Sequence, residues 1–225
     1  MNCNYRYANR HCAGLSITSW DYGVKKTVHA AEQNREDVKQ KRKEWKEFQE
    51  TVDPKNLIFL DECGINTGMT RLYGRAPKEE RVVDAVPDVR FARTSVLSSV
   101  RMDGTIIPCT FDDALNGDLF REYIRVFLVP TLKPGDIVVM DNLSSHKVSG
   151  IMEMIQNAGT QVKFLPPYSP DFNPIELMWS KMKAILRKLK IRSRDLLDEA
   201  IALALNTVSI SDVTNWFPHD GYGLP

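Results

Sequence analysis

Apolar positions along this chain follow two periods. Short continuous runs, NLIFLD at residues 56–61, DIVVMD at residues 136–141 and a third at residues 161–165, have the length of strands buried on both faces. Residues 94–101 and 105–111 are also strand-like, and the Asp103-Gly104 pair between them predicts a hairpin. Elsewhere the spacing is helical. Residues 116–132 place Leu119, Phe120, Tyr123, Ile124, Phe127 and Leu128 on one side, ahead of Pro134-Gly135. Residues 148–158 read as a helix stopped by Gly159, residues 175–190 as a strong helix, and residues 195–207 as another. Residues 27–52 form a charged helix without Gly, followed by Pro54. Its apolar stripe of Val38, Trp45, Phe48 and Val52 is too thin to fold alone, so it is expected to lie across another element or to link two domains.

The order is therefore three strands, helix, strand, helix, strand, helix. Antiparallel opening strands followed by helical crossovers predict an α/β fold, a mixed five-stranded sheet with helices on both faces. This is the element order of the ribonuclease H-like fold. Residues 1–26 are short and mixed, residues 27–55 are expected to be a linker helix, and residues 56–225 the α/β domain itself.

Composition narrows the picture. The chain of 225 residues is 43% hydrophobic and 26% charged, which excludes a disordered protein. A net charge of +1 points to no partner by itself, so the distribution of charge matters more. Cys3, Cys12, Cys63 and Cys109 include no C-x-x-C pair and are expected to be reduced thiols. No run approaches the ~18 apolar residues of a membrane span. The start of the chain has no apolar stretch of a signal peptide. A cytoplasmic protein is expected.

Two of the buried runs end in acid, at Asp61 and at Asp141. In sheets built from crossovers, ligands sit off the carboxyl ends of the strands. Two ionised carboxylates ~4 Å apart repel by about 4 kcal/mol at an effective dielectric of 20, so a proton, a basic side chain or a metal must offset them. An Asp at a strand end is also common in turns. Glu176 is open to two readings as well. Asn173-Pro174-Ile175-Glu176 has the pattern of a capping box with Pro at its favoured first position, so Glu176 is either a helix cap or a third ligand. Three carboxylates without His or Cys suit a hard cation with oxygen ligands, Mg²⁺ or Mn²⁺. A pair of such ions can activate water and stabilise a leaving oxygen on phosphorus.

The helix that Glu176 begins has an apolar stripe of Ile175, Met178, Trp179, Met182, Ile185, Leu186 and Leu189. Off that stripe, Glu176 shares its face with Lys183, Arg187 and Lys190, while Lys181, Lys188, Arg192 and Arg194 add charge to the segment. Such a face is either a DNA-backbone track leading from an acidic site or a solvated helix surface.

Together, LIFLDECGINT, VVMDNLSSHK and FLPPYSPDFNPIELMWSKMK resemble the DDE transposases of the mariner-like superfamily, and most of all their bacterial insertion-sequence branch. RLYGRAP and LNGDLF fit the same pattern, and the thirty-four residues between Asp141 and Glu176 have the spacing of that branch. The resemblance runs from about residue 25 to the end. It implies that Asp61, Asp141 and Glu176 are the metal-binding catalytic triad of a cut-and-paste transposase, with two Mg²⁺ or Mn²⁺ ions. It implies cleavage of transposon ends by water, then attack of the freed 3′-hydroxyl on target DNA at TA dinucleotides, within a homodimer. Asn142 and His146 match the DNxxxHK motif and are expected to orient Asp141 or to touch a phosphate. A bacterial, nucleoid-associated location follows from the same resemblance.

The sequence departs from the family in two respects. Relatives carry two helix-turn-helix modules at the N-terminus, and here residues 13–26 look like the tail of the second, so residues 1–26 are expected to be a remnant. Cys63 stands where relatives carry Thr or Ser in the DE-x-G turn, and a thiol is the poorer hydrogen-bond partner. The competing reading is a catalytically silent, truncated remnant that binds DNA or the intact transposase. A glycoside hydrolase acting through an acid–base pair needs sugar-stacking aromatics, and here the aromatics fall on core stripes.

Overall fold

A computed structural model describes residues 29–71, 73–77, 79–86, 92–112, 114–141 and 150–223. The readings made for residues 1–26, Asn142 and His146 lie outside the described residues. The chain divides into two units, residues 1–30 and residues 31–225, and the second holds the sheet.

The five predicted strands form one sheet in the order β3-β2-β1-β4-β5: β1 Leu57–Asn66, β2 Arg93–Arg101, β3 Ile106–Asp112, β4 Ile137–Met140 and β5 Gln161–Phe164. β1 pairs antiparallel with β2, and β2 antiparallel with β3; β4 runs parallel to both β1 and β5. This is the mixed sheet of a ribonuclease H-like fold. The β2–β3 hairpin turns at Gly104, whose φ of 89° suits glycine. A Cβ there would also stand 2.8 Å from Ile210 Cγ1, so no other residue fits without movement.

Alternate residues of the central strand feed two separate cores, because successive side chains leave a strand on opposite faces. Leu57 and Phe59 join Val100, Val139 and the helices α1 (Glu36–Thr51), α4 (Ile175–Leu189), α5 (Leu197–Leu205) and α6 (Ile210–His219). Ile58 and Leu60 join Val138, Met140 and the helices α2 (Gly117–Tyr123) and α3 (Ile151–Asn157) on the other face.

Several details differ from the sequence reading. The helix expected over residues 116–132 begins as α2, capped by the Asn116 side chain. It then changes hydrogen-bond register through a π segment, Ile124–Leu128, and a 3₁₀ turn, Val129–Thr131. α6 was not expected; Ser209 and Asp212 form its capping box and Pro218 lies in its last turn. The thin stripe of α1 is enough to bury Val38 and Trp45 because the helix lies against the C-terminal segment. There Trp45 Nε1 donates to Tyr222 Oη at 2.9 Å and Gln49 Nε2 to the Asp220 carbonyl at 2.8 Å. Leu189, expected in the α4 stripe, is 40% exposed. No helix among the described residues is long and apolar enough to cross a membrane.

Candidate active site

The β1–β4 ladder ends at the Leu60–Met140 pair, and the next residue of each strand is an acid, Asp61 and Asp141. Parallel pairing thus sets the two side by side at the carboxyl edge of β4. Here the sequence reading needs one correction. β1 does not end at Asp61 but runs on along β2 to Asn66, with Asp61 opposite Ser98. Cys63 consequently sits within a strand rather than in a turn. It is buried in the core, where its thiol is pushed up by burial and opposed by Lys183.

Glu176 arrives from the opposite direction, in the first turn of α4. The preceding loop is stiffened by Pro166, Pro167, Pro170 and Pro174, which fix the backbone between β5 and the helix. Tyr168 in that loop has a φ of 56°, uncommon for a residue with a side chain. α1 clamps the loop from outside. Arg42 makes a two-pronged contact with Asp171 at 2.9 and 2.6 Å, donates to Ser169 Oγ at 2.7 Å, and lies 4.3 Å from the Phe172 ring centre.

Asp61, Asp141 and Glu176 line one cleft of about 470 Å³, walled by residues 165–170 and Asn173. Burial pushes the Asp61 carboxyl up to about 7, and the charges of Glu176 and Asp141 add to the rise. Against it act the Glu62 backbone N–H, 2.8 Å from Asp61 Oδ1, and the Trp179 indole N–H, 3.1 Å from Oδ2. Asn173 Nδ2 is a longer neighbour of Oδ2, at 3.5 Å. These donors are all neutral. Glu176 is also raised, by burial first and by Asp141, while Lys183 pulls it down.

The helix-cap reading of Glu176 does not hold. α4 starts with no side-chain cap, because Asn173 turns its amide toward Asp61, while only its backbone carbonyl meets the Glu176 N–H at 2.9 Å. Sequence reasoning missed Asn173 and Trp179 as partners of Asp61. The usable signal was the indole itself, since a buried Trp N–H normally finds an acceptor.

The basic segment divides. Lys183 faces Glu176, and Arg187 lines a shallow surface pocket with Arg71 and Tyr73. Lys190 leaves the helix in a left-handed conformation and pairs with Asp84 at 2.5 Å. Lys181 is tied to Asp212 and the Thr207 carbonyl, Arg192 to the carbonyls of Thr67 and Met69, and Arg194 to Asp112 and Thr94. Part of the basic charge of this segment therefore fastens α4 and the loop after it to their neighbours, Lys181 to the start of α6 and Arg194 to β2 and β3.

An all-carboxylate donor set in which burial and neighbouring negative charge raise the proton affinity of Asp61 and Glu176 fits a hard divalent cation in its chemistry. The three side chains do not already stand as a closed cage: no group of three or more His, Cys, Asp or Glu among the described residues is placed to hold an ion.

Comparison with known proteins agrees with this fold. The fold matches the Mos1 transposase in a pre-cleavage transpososome with a TM-score of 0.71 at 14% identity, over 89% of this chain and 64% of that one. A Mos1 mariner paired-end complex with Mn matches equally, at 0.71 and 14%, over 91% and 64%. The catalytic domain of Mos1 mariner transposase taken alone gives 0.59 at 13% identity, over 86% of this chain and 91% of that one. The chain thus spans about 64% of the length of the transposase in those complexes. No curated protein matches it by sequence. The family described as DDE superfamily endonuclease matches residues 56–198, a span holding all three cleft carboxylates, and the chain belongs to that family.

Proposed function

We propose that this chain is the catalytic part of a cut-and-paste DNA transposase, with Asp61, Asp141 and Glu176 as its metal-binding triad. One observation carries the reading: three acids far apart in sequence, brought by the end of a parallel ladder and the start of a helix, line a single cleft. Divalent cations bound there, Mg²⁺ or Mn²⁺ and in the transposase scheme two of them, would activate water and stabilise the leaving oxygen on phosphorus. Mos1 has been captured with Mn and with Mg, as paired-end complexes and as a strand transfer complex.

The chain's own residues supply the rest. Asp61 and Asp141 hold one wall of the cleft on the rigid sheet, and α4 presents Glu176 across it. Water attacks the phosphorus at a transposon end and the bond to the 3′ oxygen breaks. The freed 3′-hydroxyl then attacks a target phosphorus, at TA in the mariner pattern, and a second 3′ oxygen leaves. Lys183, which faces Glu176, and Arg187 further along α4 would meet the DNA backbone, while Lys190 would first have to leave Asp84. Asn142 and His146 would support Asp141, and residues 1–26 would belong to a DNA-reading module ahead of the linker helix. A homodimer would bring two ends together, in the nucleoid of a bacterium.

Incubating the purified chain with supercoiled DNA and Mn²⁺ tests the proposal. Nicking that disappears in Asp141→Ala is expected. DNA binding by the wild type with no nicking would instead mark a catalytically silent remnant.

A further inference from the structure

Two polar contacts in the cleft have no place in the scheme above. The Trp179 indole and the Asn173 amide both point at the same oxygen of Asp61. We infer that Trp179 and Asn173 are positioning residues that anchor Asp61 through Oδ2 and keep Oδ1 for a divalent cation. The inference rests on the reading of the cleft as a metal site.

An ionised carboxylate offers about four lone-pair positions, two on each oxygen. Oδ2 meets two N–H donors, from Trp179 at 3.1 Å and Asn173 at 3.5 Å. Oδ1 meets one, the Glu62 backbone N–H at 2.8 Å. The open position therefore lies on Oδ1. Donors on the far side of a metal-binding group fix its orientation and tune its affinity.

Asn173 breaks two local rules to make its contact. The sequence pattern offers it as a helix cap, yet α4 starts after Pro174 with no side-chain cap, and the Asn173 side chain caps nothing. Its own Oδ1 is buried and has no hydrogen-bond partner among the described residues. Such departures from local preference gather where a site requires them. Trp179 has a matching logic. It lies one turn after Glu176 on α4, so the helix that delivers one carboxylate also holds the orientation of another. Both side chains are buried, at 2% and 4% exposure, so water does not compete for Oδ2 from their side.

Mn²⁺ titrated into the purified chain, with free ion followed by electron paramagnetic resonance, tests the assignment without reading activity. Trp179→Phe keeps a ring and removes the donor, and is expected to weaken Mn²⁺ binding about 10-fold. Asn173→Ala, which removes the longer contact, should weaken it by less, and it decides the matter if Trp179→Phe loses its cooperative unfolding. Trp45→Phe is the matched control. Its indole is also buried and also hydrogen-bonded, but to Tyr222, and it should leave Mn²⁺ affinity unchanged while lowering stability. Unchanged affinity in both Trp179→Phe and Asn173→Ala, with binding abolished in Asp61→Asn, would overturn the positioning role and leave the metal site standing. Equal weakening by Trp45→Phe would also overturn it, since the effect would then follow stability. A wild type that binds no Mn²⁺ would remove the metal site and the positioning role together.

Discussion

Asp61 holds its proton to about pH 7, and the sign of that shift has consequences for stability. In the unfolded chain the same carboxyl ionises near pH 4, so between the two values the unfolded state binds fewer protons. The metal-free fold therefore loses stability as pH rises through this window, by a total on the order of 4 kcal/mol. Acids held low in the fold, such as Asp212 at about 2 through Lys181 and Ser209, act in the opposite sense and finish titrating by about pH 5. Urea unfolding of the metal-free chain should show stability falling from pH 5 to pH 8, and Asp61→Asn should remove most of the fall. A flat wild-type profile would contradict the buried, proton-holding Asp61. Because a cation must displace that proton, Mn²⁺ should bind about tenfold more tightly at pH 8 than at pH 6. Asp61 and Asp141 were legible in the sequence because each closes an apolar run. Glu176 was ambiguous because a capping box and a catalytic helix start share one pattern. What separates them is the direction of the Asn173 side chain, set by an acid 112 positions earlier that no local window contains. Periodicity likewise put the Trp179 ring in the core and was silent on where its N–H points.

Among the elements, α1 is the one whose role the sequence understated. Its stripe was visible but its partner was not, since Arg42 reaches Asp171 and Ser169 across more than a hundred residues. The helix thereby braces the proline-rich loop that leads into Asn173 and Glu176. Arg42→Ala should cost about 1–2 kcal/mol in thermal or urea unfolding, discounted because Asp171 is half exposed. Arg42→Lys should recover only part of that, because a single ammonium cannot reproduce the planar fork. Loss of nicking beyond the loss of stability would place the clamp in the assembly of the cleft. α6 carried a local signal in Ser209 and Asp212 that the proline near its end masked. The shift from α to π to 3₁₀ over residues 117–131 left no trace in the apolar pattern, which put Phe127 inward with Ile124 and Leu128; the π segment buries the latter two and leaves Phe127 42% exposed.

Over the whole molecule, the sheet topology was readable because run length, the Asp-Gly hairpin and the helical crossovers all agreed on it. The ties that span the sheet were not. Arg101 on β2 meets Asp136, just before β4, at 3.0 and 2.6 Å, both buried, so the pair bridges the two neighbours of β1. Asp136→Ala should cost about 3–5 kcal/mol by leaving the guanidinium buried and unpaired, whereas Arg101→Met with Asp136→Leu should cost clearly less. Denaturant midpoints of the two variants check the order. A second long-range tie has a consequence in time. Tyr222 accepts from Trp45 and donates to the Phe172 carbonyl at 2.7 Å, joining the first helix of the unit, its last residues and the loop beneath the cleft. During synthesis the three carboxylates emerge well before Tyr222 does. A nascent chain thus presents all three cleft acids before the brace behind their loop has emerged, and Tyr222 can tie that loop to α1 only afterwards.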